Sequence, residues 1–208
     1  MRPNGGLYIC EVRRIISFEL GLLNAWILVI PMAINFFSDV RATNARSAGV
    51  EKKGLEYLNT KERRTFYAVQ FTVFALFVYA VFLPLQLYTT WFFCGLLIYL
   101  AGLIFTSIAV VNFASSPKNK PVTKGLYRIS RNPMYAGWLT MNIGLGIACT
   151  SSLYLVLAAV LLILFNAVLP SEERWGLETY GDAYREYLNK TPRWIGMSRS
   201  SKNARANR

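Results

Sequence analysis

Two short polar stretches in an otherwise apolar chain carry most of the side chains that could do chemistry. The first, residues 117–135, contains Arg131, and the second, residues 171–190, begins with the acidic pair Glu172 and Glu173. Carboxylates can accept hydrogen bonds or a proton, and an arginine can orient an anion. The chain has no histidine, so it lacks the usual neutral-pH base and the commonest metal ligand. We therefore expect a site built from carboxylates, arginine and tyrosine, without a metal.

Each polar stretch also has a purely local interpretation. Asn132 and Pro133 are typical of the cap and the first residue of a helix. Ser171 followed by Glu172 and Glu173 is typical of a helix N-terminus, where a hydroxyl cap and two acids face the positive end of the helix dipole. Both interpretations stay open at the level of single motifs.

Composition limits the class of protein that can position these residues. The chain has 208 residues, of which 54% are hydrophobic and 16% charged, against roughly 25% charged in soluble domains. This length and apolar excess predict one integral-membrane domain at residues 1–196 and exclude a soluble globule. A disordered basic tail is expected at residues 197–208.

Uncharged stretches predict five membrane-spanning helices, because about 20 apolar residues cross a hydrocarbon core of about 30 Å. They lie at about residues 15–37, 66–84, 91–113, 134–149 and 152–170. The last two form a tight hairpin whose first arm is short for a full span. The first apolar run exceeds a signal-peptide core, so we expect no cleavage. The predicted fold class is an all-α, multi-pass membrane protein.

The net charge of +12 could indicate nucleic acid or an anionic membrane surface. All 23 Lys and Arg residues lie outside the predicted spans, 3 on one side and 20 on the other. The positive-inside rule then places the long loops and the C-terminus in the cytoplasm and the N-terminus outside. Nucleic-acid binding is not needed to explain the charge, and we expect membrane lipids as partners. Cys10, Cys94 and Cys149 fall near the outer face as unpaired thiols.

An amphipathic helix is predicted after the last span. Apolar side chains recur there at the spacing i, i+3, i+4, i+7 and i+8, which places them on one helical face. They are Tyr180, Ala183, Tyr184, Tyr187 and Leu188. Because Arg185 and Lys190 lie off this face, we expect the helix to lie in the membrane interface rather than to cross it.

Several sequence blocks follow one another with gaps that match a known group of proteins. The blocks are Lys124–Gly125–Leu126–Tyr127, Arg131–Asn132–Pro133–Met134–Tyr135, Glu172–Glu173, Tyr180–Gly181–Asp182–Ala183–Tyr184 and Pro192–Arg193–Trp194. Together with the hydrophobic hairpin, they resemble the integral-membrane methyltransferases, which include isoprenylcysteine carboxyl methyltransferases and phospholipid N-methyltransferases. The resemblance covers roughly residues 118–195 and leaves the first three predicted helices without a signature.

The resemblance implies S-adenosylmethionine-dependent methyl transfer to a lipophilic or membrane-associated acceptor at the cytoplasmic face. The implied cofactor contacts are Asn119, Lys120, Pro121, Val122, Tyr127, Asn132, Pro133, Met134, Tyr135 and Glu172. We expect Arg131 to orient an anionic part of the substrate. Glu173 would assist deprotonation where the nucleophile is an amine or a thiol.

Two positions depart from the pattern of these enzymes. Asn132 stands where many relatives have a histidine, and Val168 stands where isoprenylcysteine enzymes carry a substrate-binding arginine. The first departure is compatible with the chemistry, because methyl transfer from a sulfonium needs alignment and desolvation more than acid catalysis. The second weakens the isoprenylcysteine assignment specifically.

Two other functions remain as alternatives. One is an NADPH-dependent membrane reductase of the sterol-reductase type, whose C-terminal half shares an arginine-containing block before a helix pair. The other is a scaffold or lipid-binding membrane protein without enzymatic activity, in which the polar residues serve as caps and anchors. The sequence leaves open the methyl acceptor, the atom that is methylated and the oligomeric state.

Overall fold

A computed structural model describes residues 24–47 and 57–196 of the chain, and in these ranges the fold is all helical. The helices are α1 (Trp26–Ser47), α2 (Thr60–Val81), α3 (Thr90–Ala114), α4 (Pro133–Ala148), α5 (Ser152–Tyr180) and α6 (Asp182–Lys190), with a short 3-10 helix at Gly125–Arg128. The prediction of an all-α fold is confirmed for this part of the chain.

Three of these helices, α2, α3 and α5, are long and apolar enough to cross a membrane, by length and composition. The chain is therefore an integral membrane protein. Helix α4 has 16 residues and extends about 24 Å, which is less than the about 30 Å of a hydrocarbon core. Five spans are thus not confirmed, and the orientation in the membrane stays a prediction.

Two helices extend well beyond the predicted boundaries. Helix α1 continues to Ser47 rather than ending near residue 37, and residues 15–23 of its predicted start lie outside the described residues. Helix α5 passes through Pro170 and ends at Tyr180. In both cases the apolar run ends before the helix does, because residues 38–47 and 171–180 are more polar but contain no proline that would stop a helix. Gly181 follows the last residue of α5.

The antiparallel helices α3 and α4 are in backbone contact through glycines spaced seven residues apart. A Cβ atom added at Gly95 would lie 2.5 Å from the carbonyl oxygen of Gly144, and one added at Gly144 would lie 2.3 Å from the amide nitrogen of Tyr99. The same holds for Gly102, whose added Cβ would lie 2.9 Å from the carbonyl oxygen of Gly137. Small residues allow this approach in membrane helices. The pair fixes the start of α4 beside the end of α3.

Aromatic packing joins the remaining helices to this pair. Trp138 of α4 is buried, and its ring meets the rings of Phe36 of α1 and Phe77 of α2 edge to face, with centroids 5.7 and 6.0 Å apart. The hairpin of α4 and α5 is tied by a buried hydrogen bond of 2.8 Å from the Tyr154 hydroxyl to Oδ1 of Asn142. The bundle thereby brings the ends of α1, α3 and α5 and the start of α4 to one end of the molecule.

Candidate active site

An open cavity of about 450 Å³ lies at this end of the bundle, and both polar stretches contribute to its wall. Nine of the twelve residues singled out in the sequence line it: Pro121, Val122, Tyr127, Arg131, Asn132, Met134, Tyr135, Glu172 and Glu173. The structure therefore brings together two groups of residues that are some 40 positions apart in the chain.

The direct link between the two stretches is a hydrogen bond from the Tyr135 hydroxyl to Oε1 of Glu172. The ring of Tyr135 packs on Phe165 of α5, with centroids 4.5 Å apart, which fixes the direction of the hydroxyl. Glu172 lies inside α5, eight residues before its end. The interpretation of Ser171 and Glu172 as the start of a new helix is therefore wrong, because α5 continues through them.

Two carboxylates of the cavity have no basic partner among the described residues. One is Glu172, and the other is Asp39 of α1, whose Oδ1 accepts a hydrogen bond of 3.4 Å from the Thr43 hydroxyl. Carboxylates that are not neutralised by the protein favour a positively charged group beside them. Asp39 and Glu172 therefore offer acceptors to a positively charged group of a ligand, whereas Arg46 and Arg131 bring positive charge to the same cavity.

The neighbouring Glu173 has the opposite environment, because two arginines hold it. Arg193 donates to both of its oxygens, from Nε at 2.9 Å and from Nη2 at 2.6 Å, and Nη2 of Arg131 lies 3.4 Å away. The hydrogen bond to Glu173 raises the pKa of Arg193 above its usual range. The base role of Glu173 stays a prediction, and the geometry gives this carboxylate a second task, which is to anchor the segment after α6.

Arg131 lines the cavity and carries a buried donor that has no partner among the described residues. Its Nε is buried and has no hydrogen-bond partner in the described part of the chain, although its side chain is only 13% exposed. Its backbone amide donates to the carbonyl of Pro192 at 2.9 Å. Because Arg131 lines the cavity, its guanidinium is a candidate contact for an anionic group.

Asn132 occupies the cap position of α4, as predicted, but its side chain makes no cap hydrogen bond. Its amide instead donates to the carbonyl of Arg193 at 3.0 Å. A second bond, from the Gly196 amide to the carbonyl of Ile129 at 3.0 Å, runs beside it. The segment after α6 therefore fastens the loop before α4 in place.

Three predicted contacts fall outside the cavity wall. The side chains of Asn119 and Lys120 are exposed away from it, and Pro133 is buried in the first turn of α4 without lining it. The backbone of this loop is nevertheless close, because Pro121 and Val122 line the cavity directly.

Tyrosines form much of the remaining wall. Gly125 makes the turn that places Tyr127: its φ is +57°, and an added Cβ atom would lie 2.1 Å from Nδ2 of Asn112. The carbonyl of Tyr127 accepts a hydrogen bond of 2.8 Å from the Tyr187 hydroxyl. Burial raises the pKa of Tyr127 well above its ordinary value and that of Tyr184 to about 12. These phenols are therefore neutral donors and flat aromatic surfaces at neutral pH.

The amphipathic face of the C-terminal segment points toward the protein. Tyr180, Tyr184 and Tyr187 line the cavity, and Tyr187 is buried. Tyr180 belongs to α5, and Gly181, with φ +57°, separates it from α6. The face that was expected to enter the membrane interface therefore packs on the cavity. The position of α6 relative to a membrane stays a prediction.

Sequence reasoning missed the contribution of α1, which supplies Asp39, Thr43 and Arg46 to the cavity. Their spacing of i, i+4 and i+7 marks one helical face, and this was the available signal. It was overlooked because the helix was expected to end near residue 37.

Comparison with known proteins identifies the family. The chain belongs to the phospholipid methyltransferase family, whose model matches residues 79–183, about half of its length. It is thus a member of a family of membrane methyltransferases. No solved structure matches the chain.

Among curated proteins, the chain is 30% identical over 93 residues to protein-S-isoprenylcysteine O-methyltransferase B of Arabidopsis thaliana, covering 44% of this chain and 46% of that protein. It is 31% identical over 91 residues to a probable protein-S-isoprenylcysteine O-methyltransferase of Oryza sativa subsp. indica, covering 43% and 47%. The chain therefore matches about half the length of these relatives.

Proposed function

We propose that the protein transfers a methyl group from S-adenosylmethionine to a lipophilic or membrane-associated acceptor at the cytoplasmic face of its membrane. The observation that carries this proposal is the cavity in which Tyr135 and Glu172 meet at the end of an apolar helical bundle. Membership of the phospholipid methyltransferase family supports it.

The residues of the cavity fit the cofactor chemically. A volume of about 450 Å³ lies in the range of roughly 300 to 1,000 Å³ that is usual for small-molecule sites. S-adenosylmethionine supplies an electrophilic methyl group on a positively charged sulfur, beside an amino acid end that carries both charges. The carboxylates of Asp39 and Glu172 suit its positive groups, and the guanidinium of Arg131 suits its carboxylate. Tyrosine faces suit both a cation and a flat base.

The chain's own contribution is alignment and exclusion of water. Tyr135 orients Glu172 by a hydrogen bond, so the carboxylate has one defined direction in the cavity. Buried Tyr127 and Val122 form an apolar wall that keeps water away from the reacting atoms. Methyl transfer is an in-line displacement. A fixed geometry lowers its activation barrier, because the entropy of orienting the reactants is already lost on binding.

The acceptor is proposed to enter from the apolar side of the cavity. Phe66 of α2 and Val168 of α5 line it there, and both belong to helices that are apolar enough to span a membrane. The names of the relatives point to an isoprenylated cysteine as their acceptor. For this chain we propose only a lipophilic acceptor, because Val168 offers no charge to a carboxylate.

Ligand-dependent stability tests the proposal, because a ligand that binds only the folded form raises the melting temperature. In detergent, S-adenosylhomocysteine is expected to stabilise the purified protein in a concentration-dependent manner, and NADPH is not. A shift with NADPH alone would favour a reductase, and no shift with either ligand would contradict a cofactor site.

A further inference from the structure

Arg46 is buried and bonded in an unusual way. Only 7% of this residue is exposed, and its guanidinium donates to backbone carbonyls instead of to a carboxylate. Nη1 reaches the carbonyls of Ser116 at 2.6 Å and Pro117 at 3.0 Å, and Nη2 reaches that of Lys120 at 3.1 Å. The guanidinium also lies over the ring of Phe113, 4.8 Å from its centroid. One side chain of α1 thus contacts both the end of α3 and the loop that follows it.

These bonds have a physical logic at the end of α3. Nη1 also reaches the carbonyl of Phe113 in the last turn of α3, at 3.5 Å, and a cation at this end of a helix is favoured by the helix dipole. However, no acidic side chain pairs with Arg46 among the described residues, and burial of an unpaired charge is costly. This cost is offset only by several simultaneous bonds, which hold the loop in one geometry.

The position of Arg46 links two walls of the cavity. On its own helix, Thr43 and Asp39 line the cavity about one and two turns earlier, and beyond the loop carbonyls Pro121 and Val122 also line it. The carbonyl of Lys120 that Arg46 binds comes directly before Pro121, and the side chain of Lys120 is exposed.

We propose that Arg46 is a positioning residue that holds the 116–122 loop against α1 and thereby fixes two walls of the cavity. It lies outside the segment matched by the family model, which begins at residue 79. The part of this proposal that concerns the cofactor rests on the proposed function, whereas the part that concerns the loop does not.

The first test follows the loop without any ligand. Hydrogen exchange of the full-length protein in detergent is compared for wild type, Arg46→Met and Arg41→Met, which removes the same charge from an exposed position of the same helix. Arg46→Met is expected to accelerate exchange of the Ser115 and Ser116 amides, which donate to the carbonyls of Val111 and Phe113 at 3.0 and 3.2 Å where the loop begins, by at least about tenfold, and to leave residues 155–165 of α5 unchanged. Arg41→Met is expected to change neither region. If the amide exchange rates of Ser115 and Ser116 in Arg46→Met equal those in the wild type, the proposal is overturned.

The second test follows binding and turnover. Arg46→Met is expected to weaken S-adenosylhomocysteine binding about tenfold and to raise KM for the methyl donor equally, with kcat at saturation within about threefold of wild type. A looser loop with unchanged binding overturns the positioning role, as does a fall in kcat at constant KM. Absence of binding by the wild type would instead contradict the proposed function, and the exchange result would still decide the role of Arg46.

The conservative variant keeps both tests decisive where Arg46→Met does not fold. Arg46→Lys retains the charge but lacks the planar fork that reaches several carbonyls at once. It is expected to give intermediate loop exchange and intermediate binding. Values for Arg46→Lys that equal those of the wild type overturn the proposal.

Discussion

The α3–α4 pair and the cavity end of the molecule are held together by different forces. The helix pair relies on backbone contact at Gly95, Gly102 and Gly144, where no side chain intervenes. The cavity end relies on directional bonds, in which Arg46, Arg131 and Arg193 bridge segments that are distant in the chain. The first region is sensitive to volume, and the second is sensitive to charge and geometry. This difference separates substitutions that should prevent folding from those that should alter binding.

The largest effect is expected from added volume in the helix pair. Gly144→Val places carbon atoms within 2.3 Å of the Tyr99 amide, so α3 and α4 must separate. We expect a loss of at least about 3 kcal/mol in the free energy of unfolding, measured by thermal or denaturant unfolding in detergent. Gly196→Ala is the control, because its nearest neighbour is a flexible proline ring 3.2 Å away, and it should change stability by less than about 0.5 kcal/mol. Equal stability of both variants would contradict the tight pair.

A charge change in the cavity should affect binding more than folding. Glu172→Gln keeps an acceptor for the Tyr135 hydroxyl but removes the negative charge. We expect S-adenosylhomocysteine binding to weaken about 30-fold, or about 2 kcal/mol, with a melting temperature close to that of the wild type. Glu186→Gln changes an exposed acid on α6 and should leave binding unchanged. If Glu172→Gln binds normally, Glu172 has no part in cofactor recognition.

Loss of the ion pair between Arg193 and Glu173 should have a moderate effect on stability and binding. Arg193→Met leaves Glu173 with Arg131 alone, so the segment after α6 loses its ion pair with α5 and keeps its bonds to the loop before α4. Because the Arg193 side chain is 37% exposed, we expect only about 1 kcal/mol of lost stability and binding weakened about fivefold. Arg185→Met on the exposed face of α6 is the matched control. A large effect of Arg185→Met would indicate that stability and binding depend on net charge in general and not on the specific ion pair of Arg193 with Glu173.

The smallest effect is expected from the ion pair between Arg174 and Glu62, which also belongs to the cavity end but is exposed. Arg174 contacts Glu62 at 2.7 and 2.8 Å and donates to the Tyr57 hydroxyl at 3.0 Å. Solvent and salt screen such pairs. Arg174→Met should leave the melting temperature and binding near those of the wild type, with any difference disappearing at high salt. An effect as large as that of Gly144→Val would contradict the division between the two regions.

Apolar elements were more predictable from the sequence than polar ones. The predicted helix at 91–113 agrees with α3, because an uncharged run bounded by polar residues defines both ends. The ends of α1 and α5 were not predictable in the same way, since polarity marks where the chain leaves an apolar environment and not where a helix stops.

The convergence of the two polar stretches could be inferred from topology, because a hairpin returns the chain to the end from which it started. The role of α1 could not, since nothing local in the sequence says that Arg46 contacts carbonyls 70 positions away. The carbonyls of Pro117 and Lys120 are among these acceptors, so the conformation of the 117–122 segment depends on tertiary contacts.

Methyl transfer by the purified protein tests the central claim most directly. The protein is reconstituted in vesicles made from a lipid extract, supplied with S-adenosylmethionine labelled in the methyl group, and the label is followed into material soluble in organic solvent. We expect labelled product with the wild type and a loss of most of the label with Glu172→Gln. No label with the wild type, or equal labelling by both proteins, would contradict a methyltransferase site at the meeting point of Tyr135 and Glu172.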